Sequence, residues 1–375
     1  MSEESNGRPG LFDRAMEVED YETLIEAVES EFGVRNRTLK PKVAEFYCDP
    51  CSDAEPRFDR LLEDLSETDL VPTMSSDGGE LVVRAGKSKG AKGDQRTFTR
   101  KHLLLFSATI VTTLWIGASM FKVDLLSNPF AILRGWPYTL AIMGILGVHE
   151  SGHYLMSKRR EVVATPPYFI PLPFALGTLG AVIRMKSPMP DRKSMFDIGV
   201  AGPLLGLAIA VPVTVIGLIK SPLLPPSAAS EARWALGEPV IYWALTELVS
   251  PGRGILHPVA FAGWVGFFIT FLNLLPVGQL DGGHISRALL GDLHHRISRI
   301  IPIILLSLGF FLTFSLEANG TVWIFWGFLG LLFHGGGHPP PLNDVTPLDL
   351  KRKLVGCLTF ALMLACFVPI PFQPV

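Results

Sequence analysis

His149-Glu150-Ser151-Gly152-His153 closes an apolar run, Tyr138 to Val148, and Lys158-Arg159-Arg160 follows soon after. Arg134 is the last charge ahead of it. An ionisable group at mid-depth of a bilayer costs at least ~2.5 kcal/mol, so such a group within a span is usually there for function. Helical positions i and i+4 share a face, which lets both imidazoles reach one Zn²⁺ while Glu150 faces its bound water. The stretch reads as a membrane helix that carries hydrolytic chemistry. It points to cleavage of a peptide bond within the membrane.

Composition agrees with a membrane protein. Of 375 residues, 48% are hydrophobic, and the mean hydropathy is +0.35. The net charge of -2 conceals a division: residues 1–80 hold 21 acids against 8 bases, leaving 14 acids against 25 bases downstream. The first part therefore reads as a soluble domain and the rest as a basic-flanked membrane domain. No secretory signal opens the chain, because Met1 to Asp20 is polar and acidic. Cys48-Asp49-Pro50-Cys51 lacks a second pair, so no complete zinc knuckle forms around it.

The expected organisation is a soluble α+β domain over 1–85, a basic linker over 86–101 and a membrane-embedded domain over 102–375. Tyr21, Leu24, Ile25, Val28 and Phe32 recur at helical spacing, as do Phe58, Leu61, Leu62 and Leu65. The β-prone runs Val43–Tyr47 and Glu80–Arg84 follow them. Apolar segments lie at 103–121, 137–157, 197–219, 257–277, 300–316, 321–337 and 354–371. Most approach the ~20 residues needed to cross a bilayer. The fold class is thus an α-helical polytopic membrane protein with about seven transmembrane helices. Between Thr165 and Lys186, Tyr168-Phe169-Ile170 and Ala181-Val182-Ile183 form a re-entrant, β-like segment, since irregular apolar backbone at membrane depth must line a cavity or be buried in protein.

Alternate loops carry 19 Lys and Arg on one side and 5 on the other. The bias puts the N-terminus in the cytoplasm and HESGH at the cytoplasmic end of the second span. A hydrolytic zinc site takes three protein ligands and a water. The next candidate is Asp281, which ends an uncharged stretch begun after Arg253. By the same count the fourth span also runs inward, so Asp281 arrives at the depth of the histidines. His334 and His338 repeat the i, i+4 spacing, but Gly335-Gly336-Gly337 between them disfavours a helix. Pro339-Pro340-Pro341 reads as a stiff turn near the substrate entrance.

HESGH, Gly199-Val200-Ala201-Gly202-Pro203 and Asn273-Leu274-Leu275-Pro276-Val277-Gly278-Gln279-Leu280-Asp281-Gly282-Gly283 together resemble the site-2 protease family of intramembrane metalloproteases. The likeness is to archaeal and plant-chloroplast members, over roughly residues 100–300. It implies one zinc per chain held by His149, His153 and Asp281. Glu150 would be the general base and then the proton donor, and Asn273 would hold the substrate strand or its developing oxyanion. His284 stands where many members have Arg. Transmembrane protein substrates and membrane lipid are the implied partners, in a prokaryotic cell membrane; nucleic acid is not expected. The rival function is a catalytically silent relative acting as a membrane chaperone or adaptor. A zinc transporter is more distant, since the chain shows no internal duplication.

Overall fold

The computed structural model describes residues 11–88, 98–121, 124–125, 127–222, 234–250, 256–335 and 339–374. The acidic region forms α1 (Val18–Glu31), β1 (Val34–Lys40), β2 (Val43–Cys48), α2 (Ala54–Asp64), β3 (Leu70–Asp77) and β4 (Glu80–Lys87). Its strands make one antiparallel sheet in the order β1-β2-β4-β3. Leu24 and Val28 of α1 and Phe58 and Leu61 of α2 are fully buried with Phe46, Met74 and Val83 of the sheet. The apolar spacing of both helices therefore marks their core faces.

Two strands have no clear apolar signal, and position explains both. β1 is an edge whose residues are exposed after Val34, so Arg35-Asn36-Arg37-Thr38 can be polar. β3 is the opposite edge, where Pro72 is tolerated because a central-strand donor is not required. β4 runs past the expected domain end at 85, since its ladder with β3 continues to Leu70↔Lys87. Of the expected linker, residues 89–97 lie outside the described residues, and Arg100 already opens a helix.

The rest is mostly helical. It comprises α3 (Arg100–Met120), a 3-10 turn (Pro129–Gly135) leading into α4 (Trp136–Arg159), α5 (Arg192–Ile219), α6 (Val240–Val249), α7 (Pro258–Asn273), α8 (Asp281–Leu290), α9 (Leu293–Ser315), α10 (Thr321–Gly335) and α11 (Leu350–Ala365). Asp191 caps α5 by accepting from the Ser194 N–H at 2.6 Å, and Asp349 caps α11 through Arg352 N–H at 3.0 Å. Pro137 and Pro258 stand in the first turns of α4 and α7, where a missing N–H costs nothing. Among the described residues, four stretches are long and apolar enough to cross a membrane: 100–120, 129–159, 192–219 and 293–315. Leu104, Leu140, Phe314 and Leu358 are exposed, a surface suited to lipid.

Two expected segments are revised. The third helix starts at Arg192, ahead of 197, because Asp191 supplies its cap. The fourth, expected over 257–277, is a 16-residue helix that stops at Asn273. Pro276 and Gly278, the latter at φ +51°, lie in the turn that follows. Asp281 consequently opens a separate helix. Between α4 and α5, β5 (Tyr168–Pro171) and β6 (Thr178–Val182) pair antiparallel, with Tyr168 opposite Val182 and Phe169 opposite Ala181. A second small pair joins β7 (Trp234–Leu236) to β8 (Phe372–Pro374). α5 is central to the helical domain, packed on α4, α7 and α8.

Candidate active site and metal centre

α4 remains helical through its motif, so His149 and His153 stand one turn apart on one face. Their Nε2 atoms are 3.1 Å apart. Asp281 meets both: Oδ2 lies 3.2 Å from His149 Nε2, and Oδ1 lies 3.2 Å from His153 Nε2. Two ligands each about 2.0–2.1 Å from a tetrahedral zinc stand about 3.3–3.4 Å apart. The 3.1 Å between the two imidazole nitrogens is within a few tenths of an ångström of that figure, and the Asp281 carboxylate faces each imidazole with one of its oxygens. Two imidazoles and a carboxylate also suit zinc chemically, and they leave a fourth position for water. Among the described residues, this is the one group of three His, Cys, Asp or Glu side chains close enough to share an ion.

Neighbouring backbone sets the orientation of the site. His153 Nδ1 is 2.7 Å from the Ile198 carbonyl of α5. Donation from that nitrogen turns the Nε2 lone pair toward Asp281. Gly202 permits the close approach of α5 and α4: a Cβ there would stand 2.1 Å from His153 Nε2. Gly282 does the same for α8, where a Cβ would stand 1.9 Å from the Leu274 carbonyl. The first turn of α8 can thus press into the chain break behind α7, which carries Asp281 up to the histidines.

Glu150 is buried beside them at 4% exposure and lines a cavity of about 840 Å³. His149, His153, Asn273, Asp281 and the half-buried His284 share its wall. The Asn273 amide nitrogen is 3.3 Å from His149 Nε2, which sets this side chain at the edge of the triangle. Ala181, Val182 and Ile183 bring the end of the β5–β6 hairpin to the same cavity, and Pro339 and Pro340 also border it.

Some contributors leave no readable mark in the sequence. Leu11, Asp13 and Ser88 of the N-terminal region line the cavity, although no local pattern links them to the motif. Ile198 acts through a main-chain atom that any residue could supply. Gly202 reads only as helix packing until the imidazole beside it is seen. Of the other candidates, the side chain of His334 and all of His338 lie outside the described residues. Cys48 and Cys51 are both free, with Cys48 buried, and burial pushes the Cys48 thiol up to about 11.

Residues 137–316 match the model of Peptidase family M50. The chain is 30% identical over 253 residues to the probable zinc metalloprotease EGY1, chloroplastic, of Arabidopsis thaliana, an overlap of 62% of this chain and 43% of that protein. To EGY1 of Oryza sativa subsp. japonica it is 31% identical over 244 residues, covering 62% and 40%. To the probable zinc metalloprotease EGY2, chloroplastic, of Arabidopsis thaliana it is 29% identical over 278 residues, covering 71% and 48%. The chain spans less than half the length of these relatives. No solved structure gives a significant match. The family match takes in His149, Glu150, His153, Asn273 and Asp281 alike, so the likeness to Peptidase family M50 covers every residue of the candidate site.

Proposed function

We propose that this protein is an intramembrane zinc endopeptidase that hydrolyses peptide bonds in transmembrane segments of protein substrates. The observation that carries the reading is the His149, His153 and Asp281 cluster, whose donor atoms approach one another at 3.1–3.2 Å, set beside Glu150 in a membrane-type helix. Those three residues would hold one zinc per chain. Bound there, zinc supplies Lewis acidity, which brings a water to a pKa near ~7 and polarises a carbonyl.

The remaining steps belong to the chain's own groups. Glu150 accepts the proton of the attacking water and returns it to the leaving amine. The Asn273 amide donates a hydrogen bond to the substrate carbonyl as negative charge develops on it. The Ile198 carbonyl keeps His153 in the tautomer that ligation needs. A substrate helix must unwind before its bond is accessible, which breaks backbone hydrogen bonds in a low-dielectric setting. The β6 edge at Ala181 and Val182 lies where an unwound strand could pair and replace some of them.

The same reading assigns seven membrane passes and a re-entrant hairpin, with 1–85 and the 86–101 linker on the cytoplasmic side of a prokaryotic cell membrane. The 19-to-5 bias of Lys and Arg between alternate loops supports that orientation. The N-terminal domain meets the cytoplasmic end through Lys193 Nζ and Glu55 Oε1, 2.6 Å apart.

The test pairs wild type with Glu150→Gln in proteoliposomes holding a single-span substrate, with fragments mapped by mass spectrometry and metal measured alongside. Wild type should cut within the span; Glu150→Gln should retain about one zinc per chain and lose about 10²–10⁴-fold in rate. A wild type that binds substrate but yields no fragment from any span would favour the silent chaperone or adaptor instead.

A further inference from the structure

Arg287 is a buried cation outside the triangle, on α8, six residues beyond Asp281 and about 9 Å along the helix. Its side chain is 3% exposed and meets Asp344, itself 9% exposed, with Nη2 and Oδ2 2.5 Å apart. A buried ion pair contributes little net stability over an apolar pair of equal size, so its presence asks for another reason. The guanidinium fork prescribes a direction and register that apolar contacts do not.

Asp344 ends a short extended segment that joins two parts of the molecule. On one side, Leu342 N–H donates to the Met189 carbonyl at 2.9 Å and Asn343 N–H to Pro190 at 2.8 Å, just ahead of α5. On the other, Met74 N–H donates to the Leu342 carbonyl at 2.7 Å, and Asp344 N–H to Met74 at 3.0 Å. Residues 342–344 thus add to the β3 edge of the N-terminal sheet, and Leu342 packs in that domain's core. Arg192 Nε donates to the Ala288 carbonyl at 2.8 Å, tying the start of α5 to α8. α8 has ten residues, too few to hold its own geometry without tertiary contacts.

We propose that residues 342–344 are a docking strand through which the N-terminal domain fixes the helix that carries Asp281. In it, Arg287 and Asp344 are positioning residues for the metal centre. The proposal rests on the reading of His149, His153 and Asp281 as zinc ligands. Loss of the Asp344 charge frees one end of α8, and Asp281 at the other end then holds the ion less firmly, although no ligand is altered. Loss of Leu342 weakens the same path from the N-terminal side.

The test uses the purified full chain, loaded with zinc or with cobalt, and measures metal release to a chelator, the visible cobalt spectrum and unfolding of the metal-free protein. Asp344→Asn should release zinc at least about tenfold faster, with altered cobalt bands, and Leu342→Ala several-fold faster. The apolar pair Arg287→Met with Asp344→Leu should recover the melting temperature of the metal-free protein but keep the fast release. Recovery of both, or wild-type release from Asp344→Asn, means that the pair is merely structural and overturns the proposal. Wild-type release from Leu342→Ala overturns the part played by the N-terminal domain. A wild-type chain that takes up no zinc removes the metal-centre reading itself, a different failure visible before any variant is made.

Discussion

Along α7, Trp264 near the start and Asn273 at the end are about 14 Å apart, and the two ends treat polar atoms in opposite ways. At the first end, the indole N–H of Trp264 donates to the Gly237 carbonyl at 2.7 Å, and that of Trp323 to Pro369 at 2.6 Å. Both rings are fully buried, stacked on or edge-on to Phe268, Phe271 and Phe372, with Phe367 tilted against Trp323. Both indole N–H groups there have a partner in the protein, and the aromatic contacts lock the arrangement. At the second end, His149, Glu150, His153 and Asp281 converge on a cavity. One end of the bundle is closed on itself. The other keeps coordinating capacity for something the chain does not supply.

The largest break in that contrast should come from Asp281→Ala. It removes one corner of the triangle, so zinc measured per purified chain should fall from about one to near zero, and proteolysis with it. Full metal and full turnover in this variant would mean that another side chain is the third ligand. Gly202→Ala comes next. Its new methyl would sit 2.1 Å from His153 Nε2, so the ring or α5 must move, and zinc affinity should drop by about 10–100-fold. Unchanged affinity would show that α5 yields easily and that the close approach does not matter.

The closed end should respond differently. Trp323→Phe leaves the Pro369 carbonyl without its donor, which should cost about 1–3 kcal/mol of stability while zinc content and catalysis persist. Loss of metal in that variant would show that the two ends are coupled, and the contrast would fail. The smallest effect concerns the N-terminal core. With the Cys48 thiol pushed up to about 11, from 9.0, roughly one molecule in a thousand is thiolate at pH 8. Alkylation of the native protein should therefore label Cys51 well before Cys48. Because the folded value is the higher one, this thiol favours folding below about pH 9, and that contribution is lost as pH rises toward 11. Equal labelling of both cysteines at pH 8 would mean that β2 is not closed over Cys48.

Periodicity and spacing carried part of the architecture because they report local geometry. The apolar faces of α1 and α2, and the i, i+4 pair on α4, depend on the helical repeat alone. His149 and His153 therefore face one way wherever α4 is placed. Charge asymmetry between 1–80 and the remainder likewise distinguished an acidic sheet domain from the helical one. β1 and β3 escaped that reading because edge strands face solvent or another segment and need no alternation of their own.

What the amino-acid order determined alone was the set of chemical groups and their local geometry: two imidazoles one turn apart, a carboxylate between them, and an Asn and Asp separated by a run with Pro and Gly. Tertiary structure decided which groups meet. The end of α7 at Asn273 and the approach of Gly282 to the Leu274 carbonyl bring Asp281 within 3.2 Å of histidines more than a hundred residues earlier. The Ile198 carbonyl on His153, and the path from Met74 through Leu342 and Asp344 to Arg287, exist only once separate elements pack. The physical reason is range. Helical repeat and turn chemistry act over a few residues, whereas metal-type triangles and buried ion pairs depend on positions that only the packed chain defines.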